Sequence, residues 1–165
     1  SPGTDPADVL ASIDGDFDLV YGWDATGAHS GSGNWMIYDN VPATTDTLTA
    51  IDENMGLWIH LTAAESQVLS VEGFMPTNTN IGLLTAASGW NLVGFPSSTN
   101  VSSSTAFSGM TELSLVYGYD AADTTTPWKL YDPDAPVYVS DLTSIEFGLG
   151  YWIYVTADTT WNVAY

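Results

Sequence analysis

The chain has 165 residues and sets 20 Asp and Glu against one basic residue, Lys129, for a formal net charge of -19. That balance excludes nucleic acid and anionic membrane surfaces as partners, because both need clustered cations to displace counterions, and it disfavours phosphate substrates. With 45% hydrophobic residues, 13% aromatic and no cysteine, the chain is expected to fold without disulfides or thiolate metal sites, and no apolar run is long enough to insert in a membrane.

In chain order, the first patterned segment is 5–13, a helix candidate with Asp5 as cap and Pro6 in the first turn. Asp14, Asp16 and Asp18 then alternate as in a calcium loop. As an EF-hand the loop fails, since Leu19 stands where Gly is needed and Ala25 where the closing Glu is needed. Residues 17–23 alternate Phe17, Leu19, Tyr21 and Trp23 with Asp18, Val20 and Gly22, the period of a strand with one buried face. A Gly/Ser-rich loop containing His29 leads to a short strand over 35–39, which is expected to form a hairpin with the first. Residues 56–62 put Leu57, Ile59 and Leu61 on one face and Trp58, His60 and Thr62 on the other, so this strand is expected to be central. Residues 68–71 look like a closing strand.

The rest of the chain repeats these blocks. Residues 19–25 match 115–121 at an offset of 96, 35–39 match 128–132 at 93, and 56–63 match 150–157 at 94. Residues 160–163 take the place of 68–71. The fold expected is mainly β: two tandem copies of a sandwich-like β-sheet repeat with short helical connections. Copy one covers 1–75, a linker 76–80, and copy two 81–165. Copy two opens with a strand over 89–96, bounded by Gly89 and Pro96, whose counterpart would precede Ser1. Copy one is therefore expected to lack its opening strand. The chain could be excised from a longer array, the copies could share one sheet, or a neighbouring molecule could lend a strand.

Gly89-Trp90-Asn91-Leu92-Val93 with Phe95-Pro96, then Tyr117-Gly118-Tyr119-Asp120, Trp128 to Asp132, and Gly150-Tyr151-Trp152-Ile153 resemble the "GWNLV…P / GYW" tandem repeat modules of large secreted and cell-surface bacterial proteins. The resemblance covers nearly all of copy two and all of copy one except its first strand. Copy one departs from it at Leu57, where the usual residue is Tyr. The resemblance implies an accessory or structural part and no particular reaction.

Chemistry-bearing constellations are sparse. His29 and His60 are the only histidines, no Gly-x-Ser-x-Gly elbow surrounds a serine, and no triad or zinc set is expected. Candidate calcium ligands are Asp14, Asp16 and Asp18, then Asp120 with Asp123, and Asp132 with Asp134. The competing reading makes them turn and cap residues bonding nearby amides. Carbohydrate binding is the alternative function: sugar faces stack on exposed indoles. Trp35, Trp90 and Trp128 are candidates by position, and Trp23, Trp58, Trp152 and Trp161 are the residues assigned to it. Asn100-Val101-Ser102 is an acceptor sequon for glycosylation. The Ser/Thr-rich acidic surface, with Lys129 its only trypsin-type cleavage point, suits an extracellular or cell-surface location. The expected function is a non-catalytic structural, adhesive or assembly module. Its partners would be itself or neighbouring repeats through strand pairing, glycans being the alternative, with no cofactor beyond the candidate calcium.

Overall fold

The computed structural model describes residues 4–28, 34–40, 46–73 and 77–164; the expectation on His29 lies outside them. The helix expected over 5–13 is two short pieces, α1 (Pro6–Val9) and a 3-10 turn (Ala11–Ile13). Asp5 Oδ1 accepts from Ala7 N at 2.9 Å and caps α1. The tighter 3-10 pitch stacks residues three apart, which turns both Leu10 and Ile13 into the core.

Three strands follow, β1 (Phe17–Trp23), β2 (Trp35–Asp39) and β3 (Trp58–Leu61), in an antiparallel sheet of order β2-β1-β3. β3 is an edge strand, a correction to its expected central position. After β4 (Asn78–Leu83) and β5 (Trp90–Gly94) come β6 (Val101–Ser102), α2 (Ser103–Ala106), β7 (Leu113–Tyr119), β8 (Trp128–Tyr131), β9 (Ser144–Ile145), β10 (Gly150–Val155) and β11 (Thr159–Ala164). Their main sheet has the order β5-β10-β7-β8, so β7, β8 and β10 hold the places that β1, β2 and β3 hold in the first sheet. β4 pairs with β11 in a separate ribbon, so residues 78–80 of the expected linker are strand. No helix among the described residues is long and apolar enough to cross a membrane.

The inward faces differ from the simple alternation. Phe17, Val20 and Gly22 turn into the first core, and Leu19, Tyr21 and Trp23 point the other way. A register shift between Phe17 and Leu19 is the cause, since one added residue reverses the facing of everything after it. The second sheet repeats this with Val116 and Gly118 inward and Tyr117 and Tyr119 outward, and its shift falls between Tyr154 and Val155.

The second half is a closed sandwich. Tyr151, Ile153 and Val155 of β10 pack on Ile81 and Leu83 of β4 and on Trp161 and Val163 of β11 in one buried cluster. Trp161 stacks on Phe107, with centroids 4.8 Å apart, and its Nε1 donates to Ala106 O at 2.7 Å. The first half has a smaller cluster of Leu10, Ile13, Phe17, Val20, Leu48 and Ile51.

The outer edges of β2 and β8 are closed in the same manner. Ile37 N donates to Thr47 Oγ1 and Asp39 N to Asp46 Oδ1, while Leu130 N donates to Asp141 Oδ1 and Asp132 N to Ser140 Oγ. Side chains there occupy the donors that a further strand would use.

Candidate functional site: a seam and an open edge

The outward faces of the two sheets meet in an aromatic seam. Trp23 packs edge-on against Trp35 at 5.1 Å and Trp152 at 5.2 Å, and Trp58 against Tyr119 at 5.0 Å. Backbone bonds run beside the rings: Gly94 N donates to Asn54 O at 2.9 Å and Gly56 N to Leu92 O at 3.3 Å. Trp23 Nε1 adds a bond to Trp90 O at 2.9 Å. The first half thus closes the edge of β5 that β10 leaves open. Glycine is required at the contact, since a Cβ on Gly56 would lie 2.8 Å from Val93 O, and one on Gly94 2.8 Å from Met55 O.

Two open cavities remain between the sheets. One of about 560 Å³ is lined by Trp23, Trp35, Trp90, Tyr117, Trp128 and Trp152, with Asn34, Ala87 and Ser88 completing the wall. Another of about 480 Å³ lies between Tyr21, Ile37 and Trp58 and shares Trp35, Trp128 and Trp152 with the first. Three of the four tryptophans assigned to sugar binding, Trp23, Trp58 and Trp152, come together here. Their rings are set edge-to-face on one another, which is the favoured packing of aromatic quadrupoles and differs from a flat exposed strip. Trp161 is a correction: it is 2% exposed and belongs to the core of the second half. Tyr117 and Tyr119 were missed. Their signal was the outward half of each strand's alternation, which the register shift hid.

The acidic candidates do not converge. Asp14 Oδ1 accepts from Asn40 Nδ2, the Asp16 carbonyl accepts from Thr62 and Ala63 N, and Asp18 pairs with His60 on the exposed face. Asp120 Oδ1 accepts from Ala122 N, and Asp132 Oδ1 from Asp134 and Ala135 N, the bonding of Asx turns. Among the described residues no three His, Asp or Glu are grouped to share an ion. Asn100 is exposed, and its Oδ1 accepts from Phe147 N at 3.0 Å.

Two carboxylates are held below the usual range. Lys129 Nζ, 2.6 Å from Asp123 Oδ2, depresses Asp123 most, aided by Thr126 and Thr125, and Asp123 in turn raises Lys129. The Thr85 hydroxyl and amide do the same to Asp158, tying the β10–β11 turn to the end of β4. A folded pKa below the unfolded one adds stability that is complete above the unfolded value and is lost as pH falls through the folded value. The stability difference between the chain and Asp158→Asn should therefore be full at pH 6 and shrink below about pH 4, the unfolded Asp range. Urea unfolding of both at several pH values checks this; a difference that does not change with pH would remove the carboxylate from the account.

The remaining feature is an opening. β3 ends its sheet, and no described strand lies beyond it. Leu61 is 39% exposed, whereas Val155, its counterpart on β10, is 1%. Residues 68–71, expected as a closing strand, have no strand partner among the described residues, and Ser70 N donates to Ser12 Oγ. Leu69 and Val71 are 39% and 58% exposed, against 2% and 3% for the matching Trp161 and Val163 of β11. The two halves thus carry the same apolar pattern, and β4 and β5 cover it only in the second. Comparison with family models, with curated proteins and with solved structures gave no match.

Proposed function

We propose that the chain is a non-catalytic structural and assembly module of a secreted or cell-surface protein, made of two β repeats that join their neighbours by strand pairing. The observation that carries this reading is the seam, where Asn54 and Gly56 of one half bond directly to Leu92 and Gly94 of the other. Repeats linked in this way share backbone bonds as well as side-chain contacts, so the joint resists bending. The flank of β3 that no described strand meets offers backbone of the same kind, the usual template for adding a strand. The acidic exterior opposes any such contact between chains, because each carries -19.

The sign of the salt effect follows. Screening at 0.5 M salt shortens the Debye length to roughly 4 Å, which removes most of the repulsion and leaves apolar burial and backbone pairing intact. Sedimentation velocity should show association that grows with protein concentration and is stronger in high salt than in low. A monomer at every concentration and salt would overturn assembly by the chain itself.

A further inference from the structure

We infer that the open side of the first half is an acceptor site for an uncharged extended β segment with the chemistry of residues 78–95, the β4–β5 pair. The assignment rests on the assembly reading above and names the partner that reading requires. Its first support is positional. Tyr151 and Ile153 of β10 lie opposite Val93 and Asn91 of β5, and Trp161 and Val163 of β11 lie opposite Ile81 and Thr79 of β4. Leu57, Ile59, Leu69 and Val71 occupy the matching places in the first half; Ile59 pairs with Val20 of β1 on one flank, and no described strand meets the other flank of β3 or residues 69–71. A segment docking in the same register would put Val93-type and Asn91-type residues opposite Leu57 and Ile59. It would also cover Leu61, Leu69 and Val71.

The second support is electrostatic. Residues 73–111 contain no Asp, Glu, Lys or Arg, although the rest of the chain carries 21 such residues. The segment that fills this position in the second half is thus the part of the molecule on which like-charge repulsion acts least. Exposed Glu65 and Glu72 flank residues 66–71 of the acceptor, so an acidic segment would be repelled and a neutral one would not. The charge pattern therefore matches the vacancy that the burial pattern marks.

The third support is the anchoring asparagine. In the second half, buried Asn91 bonds Leu84 N and O, Gly89 O and Ile153 O, and so fixes the β4–β5 connection to β10. The carbonyl of Ile59 stands in the place of that of Ile153. An incoming segment with the same Asn brings its own turn already folded onto itself, and only its contact with β3 has to be made.

The test uses the full chain and a synthetic peptide of residues 78–95 bearing a short oligo(ethylene glycol) tail for solubility. A second peptide carries Val93→Pro, which removes a donor on the edge that faces β10 in the second half, the edge shared by Phe95 N, while leaving charge and most apolar surface unchanged. The first peptide should bind, raise the melting midpoint by several degrees, and slow amide exchange at residues 57–61 and 67–72. The proline peptide should bind at least about tenfold more weakly, the loss expected for a missing ladder bond within an edge contact. Equal binding of both peptides would overturn the acceptor, as would protection confined to residues 150–155, which would mean exchange into the second half. Failure of the first peptide to bind, in a chain that still associates in high salt, would overturn the acceptor while leaving assembly standing. Binding of the peptide by a chain that stays monomeric would support the acceptor and overturn self-assembly.

Discussion

Asn91→Ala is expected to lower the stability of the chain by about 2 kcal/mol, because a buried amide is lost and the Leu84 backbone groups it bonds lose their partner. Asn91 is 1% exposed and lies between β5 and the turn that precedes it. Its Oδ1 accepts from Leu84 N at 2.9 Å, and its Nδ2 donates to Leu84 O and Gly89 O at 3.1 Å each. Removing the amide leaves the part-buried Leu84 N and O without these bonds, while Gly89 O keeps its bond from Val155 N at 2.9 Å. Asn91→Leu separates polarity from volume: it refills the space and leaves the same groups unpaired, so it should not restore stability. Urea denaturation followed by tryptophan fluorescence measures both, and a loss under about 1 kcal/mol for each variant would show that the network is dispensable.

The second large effect belongs to the seam. Gly56→Ala should cost about 2 kcal/mol, in the range for inserting an atom into packed structure. The added Cβ would meet Val93 O at 2.8 Å and the Leu92 side chain at 2.9 Å, and the backbone oxygen cannot rotate away. Gly94→Ala collides with Met55 O on the opposite side of the same contact. Once either change has forced the halves apart the other adds little, so the double variant should lose clearly less than the sum of the two. Emission should shift to the red as Trp23, Trp35 and Trp152 lose their mutual packing. Gly73→Ala is the control, since nothing lies within 4 Å of a Cβ there. Additive losses, or unchanged emission, would mean that the seam does not join the halves.

The strand blocks were legible because large apolar residues recur with a period of two and recur again some ninety residues later. Facing was not legible. The shift between Phe17 and Leu19 turns Val20 inward and Tyr21 and Trp23 outward, and no local residue type announces such a bulge. Trp161 was misread for a related reason. Its match in the first half is Leu69, so it seemed free of a shared constraint, yet both positions sit on the side that β4 covers in the second half. The offset alone raises the expectation that copy one lacks its opening strand. The exposure of Leu61, Leu69 and Val71 was not readable, because their neighbours depend on tertiary pairing, which sequence spacing does not carry. The acidic residues were legible in both of their readings, and the bonds of Asp120, Asp123 and Asp132 are those of turns.

The blocked flanks of β2 and β8 give any row of such modules a direction. Thr47 and Asp46 stop the first sheet on one side, Asp141 and Ser140 stop the second on the same side, and Asn54 and Gly56 close β5, so among the described strands pairing is left to the flank of β3. A contact between a flank that takes strands and a segment that supplies one is head-to-tail, and it cannot be satisfied by two identical patches facing each other. A row built as proposed would have two unlike ends, one with an unfilled acceptor and one without, so it would lengthen by a polar mechanism and stop wherever a unit with a filled first half is added.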